Sequence, residues 1–213
     1  MADTGLADTS SSTLPPRVVL LDVDGVLHPF SAQTEFFDGE CMKHLRRIIE
    51  QSGALLVLSS SWQSTAISTA EVESALRRWG IPSFDGRRTV SNGSAGGGEH
   101  HRAREIASWV ERNSALCTGG WVCIDDLDLL SVAPPPRLVP LIDTDHFVHT
   151  SSETGLTAAD ADRAVALLGG PDTRAPPLPP PQHDDADGDD ARPAKVQRTR
   201  GEVQRDMIRA ALA

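Results

Sequence analysis

The chain is 213 residues long, enough for one domain with tails and a real apolar core. Hydrophobic residues make up 39% of it and 17 residues are glycine; that is the balance of a globular protein, which excludes a wholly disordered chain, and no apolar run approaches the length of a membrane span. The formal net charge is −10, and residues 17–170 hold 13 basic against 20 acidic residues, a balance that argues against a domain wrapping nucleic acid by general electrostatics.

Residues 1–16 carry Asp3 and Asp8 but no Lys or Arg, so they lack the basic start of a secretory leader and are expected to be a disordered segment. Residues 17–170 form the expected domain. Residues 17–22 are a short apolar run of buried-strand type, closed by Gly25. Asp38 can cap a helix whose Met42, Leu45, Ile48 and Ile49 share a face, with Gly53 at its end. Residues 54–58 form a second buried strand. Ser68 and Glu71 have capping-box spacing ahead of the stripe Val72, Ala75, Leu76 and Trp79. Residues 81–90 read as a weak edge strand and 91–98 as a loop. Ala103, Ile106, Ala107 and Val110 repeat a helical stripe, and residues 121–124 are a third buried strand. Residues 137–142 and Phe147-Val148 are the candidates for a last strand, before a helix capped by Thr157 and Asp160. Strands joined by helices need crossovers, so the expected architecture is α/β, a Rossmann-like parallel sheet with helices on both faces.

Residues 171–213 are expected to be a disordered tail: proline-rich over 171–181, Asp-rich over 184–190 and basic over 192–209. The proline-rich part reads as a spacer in preference to an SH3- or WW-type ligand. The basic part reads either as a solvated end with a short helix or as a nuclear import signal or nucleic-acid arm. Cys41, Cys117 and Cys123 lack metal-ligand spacing and form no even set, which suits core thiols in a reducing cytoplasm or nucleus.

Three strand ends deliver polar groups to one sheet edge: Asp22-Val23-Asp24-Gly25, Ser59-Ser60-Ser61 and Asp125-Asp126. Ligands in parallel α/β sheets bind beyond this edge. Asp22 and Asp24 are two apart, so in extended backbone their side chains leave on the same side, and Gly25 lets the chain turn. Four acids at one edge suit a hard, oxygen-liganded ion such as Mg²⁺.

Asp22-Val-Asp-Gly-Val-Leu after an apolar strand resembles the first motif of the haloacid dehalogenase (HAD) superfamily of phosphotransferases. Ser60, an Arg at a helix start and Asp125-Asp126 resemble its later motifs, in order. The runs Leu-Ser-Ser-Ser-Trp62, Arg-Glu-Ile106 and Thr-Gly-Leu-Thr157 are further similar to the HAD domain of Swiss Army Knife RNA-repair proteins. The resemblance implies Asp22 as a nucleophile forming an aspartyl phosphate, and Asp24 as general acid and then base. It also implies Mg²⁺ held by Asp22, the Asp24 carbonyl and Asp125 or Asp126. Ser60, with Ser59, Ser61 and the Gly25 loop as neighbours, would bind phosphoryl oxygens. The family often supplies a Lys as cation. Here the only lysines are Lys43 and Lys195, so Arg102, or else Arg104 or His101, must take that place. The spacing leaves no room for a cap domain, and capless members act on bulky substrates such as nucleic-acid ends or phosphoproteins. His28, Phe30, Phe36 and Phe37 could line the rim, with Trp62 packing beneath the Ser loop. His100, His146 and His149 read as solvated, and Asp143 with Asp145 as turn residues. The expected function is a Mg²⁺-dependent phosphomonoester hydrolase; the alternative is a non-catalytic HAD-like module that binds a phosphorylated partner.

Overall fold

The computed structural model describes residues 15–30, 36–89, 98–132 and 141–182. The expected N-terminal segment as far as residue 14, most of the 91–98 loop, residues 137–140 and the Asp-rich and basic parts of the tail lie outside them.

The apolar runs form strands β1 (Val18–Leu21), β2 (Leu55–Leu58), β3 (Trp121–Asp125) and β4 (Phe147–His149). They make one sheet in the order β2-β1-β3-β4 with every pairing parallel. Phe147-Val148, one of the two candidates for the last strand, pairs with β3. Leu141 and Ile142 instead close the loop before it, where the Leu141 N–H donates to the Val132 carbonyl at 3.2 Å. The weak edge strand shrinks to one bridge between Leu58 and Arg88.

Helix α1 (Gly39–Ser52) starts where Asp38 accepts from the N–H groups of Glu40 and Cys41, and it ends at Gly53 with φ 65°. Helix α2 (Ala66–Arg78) is capped by Thr65, three residues before the expected Ser68. A 3-10 turn over Ser61–Ser64 leaves Thr65 extended, so its hydroxyl is free to accept from Ser68 N–H at 3.0 Å. Helix α3 (Glu99–Arg112) turns Ala103, Ile106 and Trp109 inward. Helix α4 (Ala158–Leu167) begins with the expected box between Thr157 and Asp160.

Because β1 to β2 and β2 to β3 step across the sheet in opposite directions, right-handed crossovers put α1 and α3 on opposite faces. The core follows. Val19 and Leu21 pack in the cluster that holds Met42, Leu76 and Ala164, from α1, α2 and α4. Val18 and Leu20 pack with Ala103, Ile106 and Trp109 of α3. Among the described residues no helix is long and apolar enough to cross a membrane.

The domain does not stop at Gly170, where the disordered tail was expected to begin. Leu178 packs on the first cluster, and Arg46 donates to the carbonyls of Leu178 and Pro179 at 3.2 and 2.6 Å. Apolar burial at Leu178, together with a cation seated on two carbonyls, ties residues 171–182 to α1 and α2.

Candidate active site

In register, Leu21 pairs with Leu58 on one side and Ile124 on the other. The next residues, Asp22, Ser59 and Asp125, therefore stand level at the carboxyl edge. Backbone bonds lock the row: Asp22 N–H donates to the Ile124 carbonyl at 3.0 Å and Ser59 N–H to the Leu21 carbonyl at 2.8 Å. Leu21, Leu58 and Ile124 all face the α1 side, so alternation turns the following residues towards α3.

Arg102 comes from the first turn of that helix, in the stripe of Ile106 and Trp109. Its Nη1 lies 3.1 Å from Asp22 Oδ1 and 2.7 Å from Asp125 Oδ2, and it also donates to the Ser59 carbonyl. Arg104, about 200° around the helix from Arg102, is exposed. His101 Nε2 lies 3.0 Å from Glu105 Oε1 on its own helix. Of the three candidate cations, Arg102 is the one that meets the acids.

Carboxylate oxygens of Asp22, Asp125 and Asp126 all lie within 4.8 Å of one another. Gly25 permits this closeness. Its φ is +70°, and a Cβ there would stand 2.3 Å from Asp126 Oδ2. The Thr150 hydroxyl fixes the Gly25 carbonyl at 3.0 Å. Ser60 is buried, and its hydroxyl favours the charged form of Asp22. The Ser59 hydroxyl accepts from Thr89 at 3.3 Å, while Ser61 is exposed on the 3-10 turn.

Asp24 faces other partners. Its Oδ2 accepts from the indole N–H of Trp62 at 2.9 Å, and its Oδ1 lies 3.4 Å from His28 Nδ1. His28 is thus no rim residue: it is 1% exposed. Phe36 and Phe37 are half-buried and meet Trp62 edge-on at ring separations of 5.7 and 5.6 Å, leaving Phe30 as the exposed one of the four. The sequence reading missed the Trp62 bond to Asp24, Thr89 and Thr150. An indole N–H in a buried position needs an acceptor, which was the one available signal; the threonines arrive from distant sequence.

Burial raises the Asp22 carboxyl above its ordinary range against the opposing pull of Arg102 and Ser60. Burial and then repulsion by Asp22 push Asp125 up to about 7 and Asp126 up to about 6. Burial alone would depress the Arg102 guanidinium, but Asp22 and Asp125 more than offset it and keep it protonated. One guanidinium among three acids leaves negative charge uncompensated. An oxygen-only donor set of that kind fits a hard divalent cation.

A family model for the HAD domain in Swiss Army Knife RNA repair proteins matches residues 18–161. The chain belongs to this family. No curated protein and no solved structure matches the chain. The matched span takes in all four strands of the described residues and all the residues just described at the sheet edge. At superfamily level the assignment is to a phosphatase-like hydrolase, and the cluster of Asp22, Asp125 and Asp126 fits a HAD site. The Thr-Gly-Leu-Thr157 run has a physical reason too. Gly155 has φ +67°, a Cβ there would meet Cys41 Sγ at 2.7 Å, and Leu156 N–H donates to the Val26 carbonyl at 2.8 Å. The run pins the loop after Asp24 to the start of α4.

Proposed function

We propose that this HAD domain is a Mg²⁺-dependent phosphomonoester hydrolase that works through an aspartyl phosphate on Asp22. The observation that carries the reading is the seat of Arg102 Nη1 between Asp22 and Asp125, at 3.1 and 2.7 Å, with the second acid, Asp24, two residues further on. An Asp22 oxygen attacks phosphorus, the bond to the leaving oxygen breaks, and Asp24 gives that oxygen its proton. Asp24 then takes a proton from water, which attacks phosphorus and frees Asp22 and inorganic phosphate. Arg102 and the Ser60 hydroxyl hold the equatorial oxygens, where positioned donors and positive charge do most of the work. Asp22, Asp125 and Asp126, with the Asp24 carbonyl, would hold Mg²⁺, which supplies charge neutralisation between carboxylates and phosphoryl oxygens.

Only 35 residues separate Asp24 from Ser60 and 41 separate Ser60 from Arg102, spacings that support a capless, open site and a substrate larger than a small metabolite. The family's association with RNA repair favours a phosphorylated nucleic-acid end over a phosphoprotein. The acidic domain would then grip the terminal phosphate rather than the length of the strand. Free thiols at Cys41, Cys117 and Cys123 support the cytoplasm or nucleus as its compartment.

The test is hydrolysis of a small aryl phosphate and of 3′- and 5′-phosphorylated oligonucleotides, with and without Mg²⁺, by the native protein and by Asp22→Asn. Turnover that needs Mg²⁺, is blocked by beryllofluoride and is lost in Asp22→Asn is expected. Activity retained by the Asn variant overturns the nucleophile, and a native protein that binds phosphorylated ends without turnover is the non-catalytic module.

A further inference from the structure

Proline fixes its own φ near −65° and drives the residue before it into extended backbone. In the run Ala175-Pro-Pro-Leu-Pro-Pro-Pro181 five residues precede a proline, a pattern that favours a polyproline II helix with three residues per turn. Exposure follows that period: Ala175, Leu178 and Pro181 are half-buried, whereas Pro176, Pro177, Pro179 and Pro180 are exposed. One edge of the three-sided helix lies on the domain. There Ala175 faces Gly53, where a Cβ would come within 3.3 Å of its own Cβ. Leu178 enters the apolar cluster, Arg46 holds two carbonyls, and Gln182 N–H donates to the Arg78 carbonyl at 2.7 Å.

The two remaining edges present the proline pairs 176–177 and 179–180. Arg174, also exposed, stands three residues before Pro177, which stands three before Pro180, so the run reads Arg-x-x-Pro-x-x-Pro. Its start is fixed by Arg174 N–H donating to Asp172 Oδ1 at 2.9 Å. A groove of the SH3 type takes two proline pairs in aromatic-lined pockets and a flanking cation in an acidic one. Two pockets engage two edges of a three-sided helix and leave the third free. The third edge is the one this domain already holds.

We propose that residues 174–181 are a pre-ordered ligand for an SH3-type domain, displayed on the back of α1 and α2 so that the HAD domain is tethered to a partner. Prepaid ordering of the segment lowers the entropy cost of docking. Exposed prolines beside an exposed arginine then have a function that a spacer would not require, and Arg174 matches an acidic pocket by charge.

The test titrates the full-length protein into a purified, isotope-labelled SH3 domain that selects Arg-x-x-Pro-x-x-Pro, followed by NMR shifts at its groove aromatics. Saturable one-to-one binding is expected, with Kd on the order of 10 μM. The double variant Pro177→Ala/Pro180→Ala weakens it about tenfold or more, and Arg174→Glu weakens it about tenfold. Pro181→Ala, on the domain-facing edge, stays within about twofold, and hydrolase activity is unchanged in all of these. Absence of groove shifts, equal binding by the double variant, or an equal effect of Pro181→Ala overturns the proposal. So does tighter binding of the same protein by a WW domain.

Discussion

The indole N–H of Trp62 donates to Asp24 Oδ2 at 2.9 Å. Trp62 is 2% exposed and braced edge-on by Phe36 and Phe37, so it holds one carboxylate oxygen in place, while the other lies 3.4 Å from His28 Nδ1. Trp62→Phe keeps most of the packing and loses the donor. Steady-state kinetics on a small aryl phosphate should show kcat lowered about tenfold with KM within about twofold, since the loss falls on proton transfer and not on phosphate binding. An unchanged kcat would show that the backbone and His28 position Asp24 without the indole.

Arg102 and Arg104 should behave very differently. Arg102→Ala removes the guanidinium shared by Asp22 and Asp125 and should lower kcat/KM by about 10²-fold or more. Arg104→Ala, at an exposed position, should stay near wild type. Arg102→Lys should recover part of the loss, because a point charge can serve where the fork cannot be reproduced. Equal, small effects of both alanine variants would remove Arg102 from the clamp.

The sheet was legible because β1 and β2 are short and wholly apolar, β3 is apolar up to Asp125, and the acids and serines at their ends mark the edge at which ligands bind. Asp38, Gly53 and Thr157 gave their helix ends away through local chemistry alone. Thr65 did not, since its cap depends on the 3-10 turn before it, and Ser68 offered an equally good local pattern. His28 read as a rim residue for the same reason. Only the folded chain shows that the loop after Gly25 doubles back, with the Gly25 N–H on the His28 carbonyl at 2.9 Å. Residues 171–182 looked solvated because composition carries no sign of Arg46, more than a hundred positions away, waiting for two carbonyls.

Ending the chain after Gly170 should lower the thermal midpoint. The cut exposes the surface under Leu178 and strips Arg46 of its bonds to Leu178 and Pro179. Partial burial of one leucine with two charge-assisted bonds is worth about 2 kcal/mol, or roughly 5 °C in a domain of this size. A cut after Gln182 should leave the midpoint unchanged. Calorimetry on the two truncations separates them, and equal midpoints would show that the proline-rich segment contributes nothing to stability.

The acid cluster should make the metal-free protein less stable as pH rises. Asp125 and Asp126 are pushed up to about 7 and about 6 in the fold, chiefly by burial, from an ordinary 3.8. A carboxyl with a raised folded value binds more protons in the native than in the unfolded state. Stability then falls with pH between the two values. The window runs from about pH 4 to about pH 7, and Asp22, raised in the same direction, acts with the same sign. A divalent cation bound by these carboxylates must displace their protons, so it stabilises most where they have ionised. Thermal midpoints in a chelator should therefore fall by something like 5 °C from pH 5 to pH 8, and millimolar Mg²⁺ should restore more of the loss at pH 8 than at pH 5. Asp126→Asn removes one of the titrating acids and should flatten the chelator profile while weakening the Mg²⁺ response. A profile that rises with pH in chelator, or a Mg²⁺ effect equal at both ends, would mean that the three acids neither repel one another nor share an ion.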